Sequence, residues 1–376
     1  MRFSTCFLLV ILVMLSFLTS ASFSNQTTLA TDQELIKYDG KIEHLFTHCL
    51  IAYPSLAFDK NNYMGTSYDR DCLTVTEFKR ILKSLYNNDF ILVKMSEVYK
   101  IENGKAYKKA LYLPKDKKPL IFSFDDVNYD TKKLNRGMVD KIILDKNNNI
   151  ATYTENPPSG EKISYDKEFI NVLTNFINTH PDFSHNNAKG LICLTGYDGI
   201  LGYRTDLIGI NRQAEIKQAK KVVKALKEQG WEFASHSYGH YHMTKISDYW
   251  FNREVKRFSE EVETLIGKTQ IYVYPYGEYE ITNEIGQKTN KHKMLEDAGF
   301  KLFCGVGKKY FFGYAPFNTE KENRVLFMDR KPIDGFSLRQ HHKEYDHLFN
   351  SFKVYDHKNR VTLFPDYNSI VALLQP

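Results

Sequence analysis

A chain of 376 residues that is 42% hydrophobic, 14% aromatic and 26% charged carries enough apolar material for a large core, which excludes an intrinsically disordered or fibrous protein. Its net charge of +6 comes from basic and acidic residues interleaved along the whole length; this excludes a nucleic-acid-binding stripe and leaves room for attraction to an anionic cell-wall or membrane surface. The 25 Tyr and 26 Phe supply rings that suit core packing first and the C–H faces of sugars second.

In chain order, Met1 and Arg2 lead into a near-continuous apolar run from Phe7 to Leu18, followed by the small and polar Thr19, Ser20, Ala21, Ser22 and Ser24. That pattern predicts a signal peptide over 1–24, cut near Ala21 or Ser24 and leading to export, because the run is short of the roughly 18 to 20 residues a spanning helix needs. Cys6 leaves with it. Cys49, Cys72, Cys193 and Cys304 are far apart in sequence and not at metal-ligand spacing, so they read as buried free thiols. A polar linker is expected over 25–40, one barrel domain over 41–350 and a C-terminal extension of that domain over 351–376.

From there short apolar runs alternate with helix-period segments, the grammar of a mostly parallel sheet. Thr74 and Glu77 make a capping box, after which Phe78, Ile81, Leu82 and Leu85 recur at helical spacing and Phe90 to Val93 reads as a strand. Leu120 to Phe124 is the next strand. Phe169, Ile170, Leu173, Phe176 and Ile177 then form a helix face ahead of a strand at Leu191 to Leu194. Ile216, Ala219, Val222, Val223 and Leu226 line another helix, which Gly230 stops before a strand at Trp231 to Ala234. Val255, Phe258, Val262, Leu265 and Ile266 repeat the pattern up to Gly267; Ile271 to Tyr274, Lys301 to Val306 and Val325 to Met328 are further strands. The succession predicts an α/β fold, a distorted, partly closed (β/α) barrel. Within 130–190 the connection is too long for a simple crossover, and Lys141 to Leu144 and Ile150 to Thr154 flank a turn-rich Asp145 to Asn149, which predicts an inserted hairpin.

Active groups of such barrels sit where strands end. Leu120 to Phe124 runs into Asp125-Asp126, Trp231 to Ser235 into His236-Ser237-Tyr238-Gly239-His240, and Ile271 to Tyr274 into Pro275-Tyr276-Gly277. Two imidazoles four residues apart can share one face of a turn, and a carboxylate from a neighbouring strand completes a set of three ligands with positions left open. The second carboxylate is then free to act on a proton. In isolation an Asp pair after a strand is a helix cap, and His-x-x-x-His is a surface turn; both at strand ends of one barrel point to chemistry.

These motifs resemble the polysaccharide deacetylases, carbohydrate esterase family four, with the NodB-type domain, over about residues 42 to 340. Ile121-Phe122-Ser123-Phe124-Asp125-Asp126 is similar to the family's Thr-Phe-Asp-Asp-Gly motif, and His236-Ser237-Tyr238-Gly239-His240 to its His-Ser/Thr-x-x-His motif. Gly230 to Ser235 resembles the lead-in strand, Ala298-Gly299-Phe300-Lys301 a later helix-to-strand turn, and Phe46-Thr47-His48 an early strand ending in Tyr-His. The resemblance implies that Asp126, His236 and His240 hold one divalent ion, zinc first and cobalt, nickel or manganese after it, and that Asp125 is the base that deprotonates the attacking water. It implies removal of N-acetyl groups from a peptidoglycan, chitin-like or poly-glucosamine polymer, with Pro275 and Tyr276 shaping the pocket and a backbone N–H such as that of Tyr276 meeting the oxyanion.

Three departures bear on this. The glycine after the Asp pair is Val127. The Arg-x-Pro-Tyr motif is Val273-Tyr274-Pro275-Tyr276, so its arginine is missing, and Arg204 or Arg330 is the expected replacement. The last motif has no clean match; His341 or His342 is the weak candidate for its general acid, and His48 is the next candidate base after Asp125. Two alternatives stay open: a sugar-binding protein on the same barrel without turnover, and a deacylase of another ester or amide.

Overall fold

The computed structural model describes residues 34–206, 208–279, 281–282, 287–307, 310–314 and 324–360. The segment read as a signal peptide lies outside them, as do residues 361–376 of the expected extension. No helix among the described residues is long and apolar enough to cross a membrane.

Seven parallel strands close on themselves: β1 (Glu43–His48), β2 (Lys118–Asp125), β3 (Leu191–Leu194), β4 (Glu232–Ser235), β5 (Ile271–Val273), β6 (Leu302–Val306) and β7 (Leu326–Pro332). The order is sequential, and β7 pairs with β1 through Lys331 opposite Leu45 and Pro332 opposite Phe46. Closure is complete where a partly closed barrel was expected, and β2 is where the distortion sits. One edge of β2 carries a short extra strand, Phe90–Leu92, along its first half, and β3 along its second half, at Ser123 and Phe124 only.

The sequence periods account for the layers. In β2, Phe122 and Phe124 turn outward to the helices, where Phe78 lies 5.7 Å and 5.9 Å from them and Phe169 stacks on Phe124 at 3.8 Å. Ile121 instead joins the interior with Ile42, Leu191, Cys193, Ala234, Val273, Cys304 and Met328. Period two thus sends Ile121, Ser123 and Asp125 to one face, apolar at the base and polar at the top.

Helix α1 (Val75–Asn87) begins at the expected capping box, Thr74 Oγ1 accepting from the Glu77 N–H at 3.1 Å and the Glu77 carboxylate from the Thr74 N–H at 2.8 Å. α2 (Phe169–Thr179), α3 (Arg212–Glu228) and α4 (Asp248–Arg257) follow; α4 runs through a π-helical segment, Phe258–Val262. α5 (Asn290–Asp297) precedes β6, and α6 (Gly335–Gln340) follows β7. Gly230 ends α3 with φ +97°, and a Cβ there would sit 2.0 Å from the Asn187 carbonyl oxygen, so only glycine fits.

The insertion is a three-stranded sheet, Lys141–Leu144, Ile150–Tyr153 and Ile163–Ser164, one strand more than the expected hairpin. The stretch expected as a linker over 25–40 ends in a strand, Leu35–Tyr38, paired antiparallel with Leu111–Pro114. Leu111 and Leu113 belong to the interior cluster, as do Met95, Val98 and Ala106, so this segment plugs the base of the barrel. Cys49, Cys72, Cys193 and Cys304 are all buried free thiols, as read from their spacing.

Candidate metal centre

Asp125 is the last residue of β2, and Asp126 adopts φ +57°, outside β geometry. Neighbours in an extended strand point to opposite faces, so this left-handed residue is what lets both carboxylates serve one mouth. Ser237 (φ +59°), His240 (φ +54°) and Tyr276 (φ +58°) are three more non-glycine residues in that region, all at the same end of the barrel. Such backbone costs roughly 1–3 kcal/mol per residue and clusters where function fixes geometry.

The His236–His240 loop is braced from behind. The Gly196 and Tyr197 N–H groups donate to the Tyr238 carbonyl at 2.8 and 3.0 Å, and the Tyr238 hydroxyl sits between Glu261 and Arg257 at 2.7 and 2.6 Å. His236 Nδ1 donates to the Val273 carbonyl at 2.9 Å, which leaves the Nε2 lone pair facing the carboxylates. His236 Nε2 lies 3.7 Å from Asp125, and His240 Nε2 lies 3.6 Å from Asp126.

One ligand atom each from Asp126, His236 and His240 falls within 4.8 Å of the others. Asp126 Oδ1 is buried with no hydrogen-bond partner, as expected of an oxygen made for a cation. Burial pushes His240 down to about 4, against the pull of Asp126 and with help from His236, so the ring is neutral and able to coordinate. For Asp126 burial acts upward, but positive charge around it, from His240 whenever that ring is protonated and then from Lys133, holds the carboxyl below its ordinary range. This donor set fits a divalent ion.

Asp125 is the second carboxylate, and Arg330 on β7 holds it: Nη1 and Nη2 reach Oδ1 and Oδ2 at 2.8 and 3.0 Å, both side chains being buried. Burial would raise Asp125, but the charge of Arg330 outweighs it and keeps the carboxyl ionised well below the usual carboxylate range. Of the two arginines read from sequence, Arg330 therefore makes the ion pair. Arg204 does not pair with Asp125: its guanidinium donates to the carbonyls of Asp198 and Tyr129, bracing two loops.

His48 ends β1 directly opposite Asp125, with Nδ1 tied to the Asp71 carbonyl at 2.8 Å. Pro275 and Tyr276 follow β5; the half-exposed Tyr276 ring meets His240 edge-on at 4.7 Å and stacks on His242 at 3.9 Å. His242 is held in turn by Glu278 at 3.0 Å. His341 instead pairs with Glu344 at 3.4 Å, and His342 packs on Phe352. Sequence reasoning missed His44 and Ser123, which lie behind Arg330, and His242 with Glu278; the period-two face shared by Ser123 and Asp125 was the signal available for the first pair.

A family model described as polysaccharide deacetylase matches residues 207–297, a stretch that contains His236, His240, Pro275 and Tyr276 and starts after the Asp pair. No curated protein matches the chain. Among solved structures, the Streptococcus pyogenes deacetylase PplD is 15% identical, with 80% of this chain and 94% of that one covered and a TM-score of 0.42. IcaB from Ammonifex degensii is 14% identical, covering 79% and 93%, with a TM-score of 0.40. BA3943 of Bacillus anthracis, a family-four pseudoenzyme, is 11% identical, covering 50% and 57%, with a TM-score of 0.25.

Proposed function

We propose that this chain is a metal-dependent hydrolase that removes N-acetyl groups from an amino-sugar polymer. The match of residues 207–297 to the polysaccharide deacetylase family gives the class, hydrolysis of a C–N bond. The observation that carries the reading is the pairing of a three-ligand group, Asp126, His236 and His240, with an adjacent carboxylate held bidentately by Arg330. A divalent ion, zinc by preference for two imidazoles and one carboxylate, supplies Lewis acidity, polarising the acetamide carbonyl and acidifying water.

The chain's own residues do the rest. Asp125, ionised and fixed, accepts the proton of the attacking water as its oxygen adds to the acetamide carbon. The backbone N–H of Tyr276 is the donor we assign to the oxyanion. The C–N bond then breaks to give acetate and an amine, which takes up one proton; His48, tethered through Nδ1 and facing the mouth, is the group we assign to deliver it. Tyr276 on its His242 stack offers a flat wall to a sugar ring.

Peptidoglycan, chitin-like and poly-glucosamine polymers are the substrates proposed, and acetate release over a panel of these, beside simple esters, tests the reading. Release from a polymer supports it; hydrolysis of esters alone would favour a different deacylase. The alternative of a sugar-binding barrel without turnover rests on the missing motif arginine and the missing motif acid; the Arg330–Asp125 pair answers the first of these, and acetate release decides the second. Export is also proposed, from the apolar run Phe7 to Leu18 and the small residues after it; N-terminal sequencing of the mature protein, with a start after Ala21 or near Asn25 expected, tests it.

A further inference from the structure

We infer that His44 and Ser123 are positioning residues for Asp125, acting through Arg330; the inference rests on the hydrolase reading above and deepens it. The side chains form one file across three neighbouring strands, β1, β2 and β7. Arg330 Nη1 donates not only to Asp125 Oδ1 at 2.8 Å but also to Ser123 Oγ at 3.0 Å, and Ser123 Oγ lies 3.0 Å from His44 Nε2.

Donor and acceptor counting fixes the order. A guanidinium only donates and a thioether only accepts, so Arg330 donates to the Ser123 oxygen, His44 Nδ1 donates to the Met328 sulfur, and the Nε2 of the neutral ring is left to accept the single Ser123 proton. His44 then carries its own proton on Nδ1, which faces the Met328 sulfur at 3.2 Å. That arrangement requires a neutral imidazole. Burial, and next the charge of Arg330, hold His44 well below its ordinary value against the opposing pull of Asp125.

The file has a reason to exist. On the β3, β4 and β5 faces at this height the interior is filled by Cys193, Ala234 and Val273, small or apolar groups that need no partner. The motif arginine of the resembling family would enter from β5, where Val273 stands. Here the arginine enters from β7, fully buried, its guanidinium 4.2 Å from the Phe46 ring. Two contacts join the guanidinium to Asp125, and the second hydrogen of Nη1, given to Ser123, ties the same fork to β2, while His44 fixes the direction of the Ser123 hydroxyl.

The test uses the full chain carrying Ser123→Ala, His44→Leu or His44→Gln, the last keeping an acceptor in place of Nε2. Steady-state deacetylation, metal content and melting temperature are measured together. Ser123→Ala and His44→Leu are expected to lower kcat roughly 10- to 100-fold, the worth of one hydrogen bond to a charged group, with KM and metal content unchanged, and His44→Gln to recover most of the loss. A crystal structure of Ser123→Ala gives a readout independent of turnover: displacement of the guanidinium from Asp125 supports the inference even if no acetate is released by the native chain, an outcome that would sink the hydrolase reading alone. Retention of both Arg330–Asp125 contacts in that structure, or native kcat in both Ser123→Ala and His44→Leu, overturns the inference.

Discussion

Arg330 of β7 and Asp125 of β2 form a two-point ion pair inside the barrel, at 2.8 and 3.0 Å, although 205 residues separate them in sequence. Lysine cannot reproduce a fork, so Arg330→Lys is not conservative here. Arg330→Met and Arg330→Lys should each lower kcat by roughly 100-fold or more, because an untethered carboxylate no longer points at the attacking water. The methionine variant also leaves a buried charge alone, at a cost of about 3–5 kcal/mol. Acetate assays and thermal melts of both variants check this.

His236→Ala and His240→Ala should each lose most bound metal while the barrel persists, since a site of three ligands deprived of one imidazole is weak and the core lies elsewhere. His236→Ala should be the less stable of the two by about 1–3 kcal/mol, because it strands the Val273 carbonyl that Nδ1 now satisfies. Elemental analysis and melting curves decide. Full metal content in either variant would move the site.

A buried carboxyl outside the centre predicts a pH dependence of stability. Glu168, at the start of α2, accepts from the Leu50 and Phe169 N–H groups at 3.0 and 2.7 Å, yet burial raises its pKa from 4.5 to about 7. Between those values the folded chain keeps a proton that the unfolded chain has released. Stability from this group therefore falls as pH rises from about 4.5 to about 7 and levels beyond, by roughly 3 kcal/mol at most. Glu168→Gln should flatten that slope in melting temperatures taken across the interval; a slope unchanged from the native chain would show that Glu168 ionises normally.

Much of this centre was legible because its parts are local. A strand ending in two carboxylates, and a strand ending in His-x-x-x-His, each carry their own period and stop signal, and the barrel merely brings their ends together. Arg330 was readable only as one of two candidates, since which arginine meets Asp125 depends on β7 closing onto β1, a pairing between residues nearly 290 apart that no local pattern encodes. The strand Leu35–Tyr38 was hidden for the same reason: its partner, Leu111–Pro114, lies more than 70 residues away, and its own residues are mostly exposed. Ser123 is a polar residue inside an apolar strand, and its partners, Arg330 and His44, come from β7 and β1, so its role depends on the same long-range closure.

The adjacent carboxylates provide the most direct test of the central claim, that Asp126 belongs to the ion and Asp125 to the proton. Asp125→Asn and Asp126→Asn are nearly isosteric and differ by one position, so metal content and acetate release measured on both separate the roles. Asp125→Asn should keep its metal and lose roughly 100- to 10,000-fold in turnover, while Asp126→Asn should lose both. Near-native acetate release by Asp125→Asn, or full metal content in Asp126→Asn, would contradict the account.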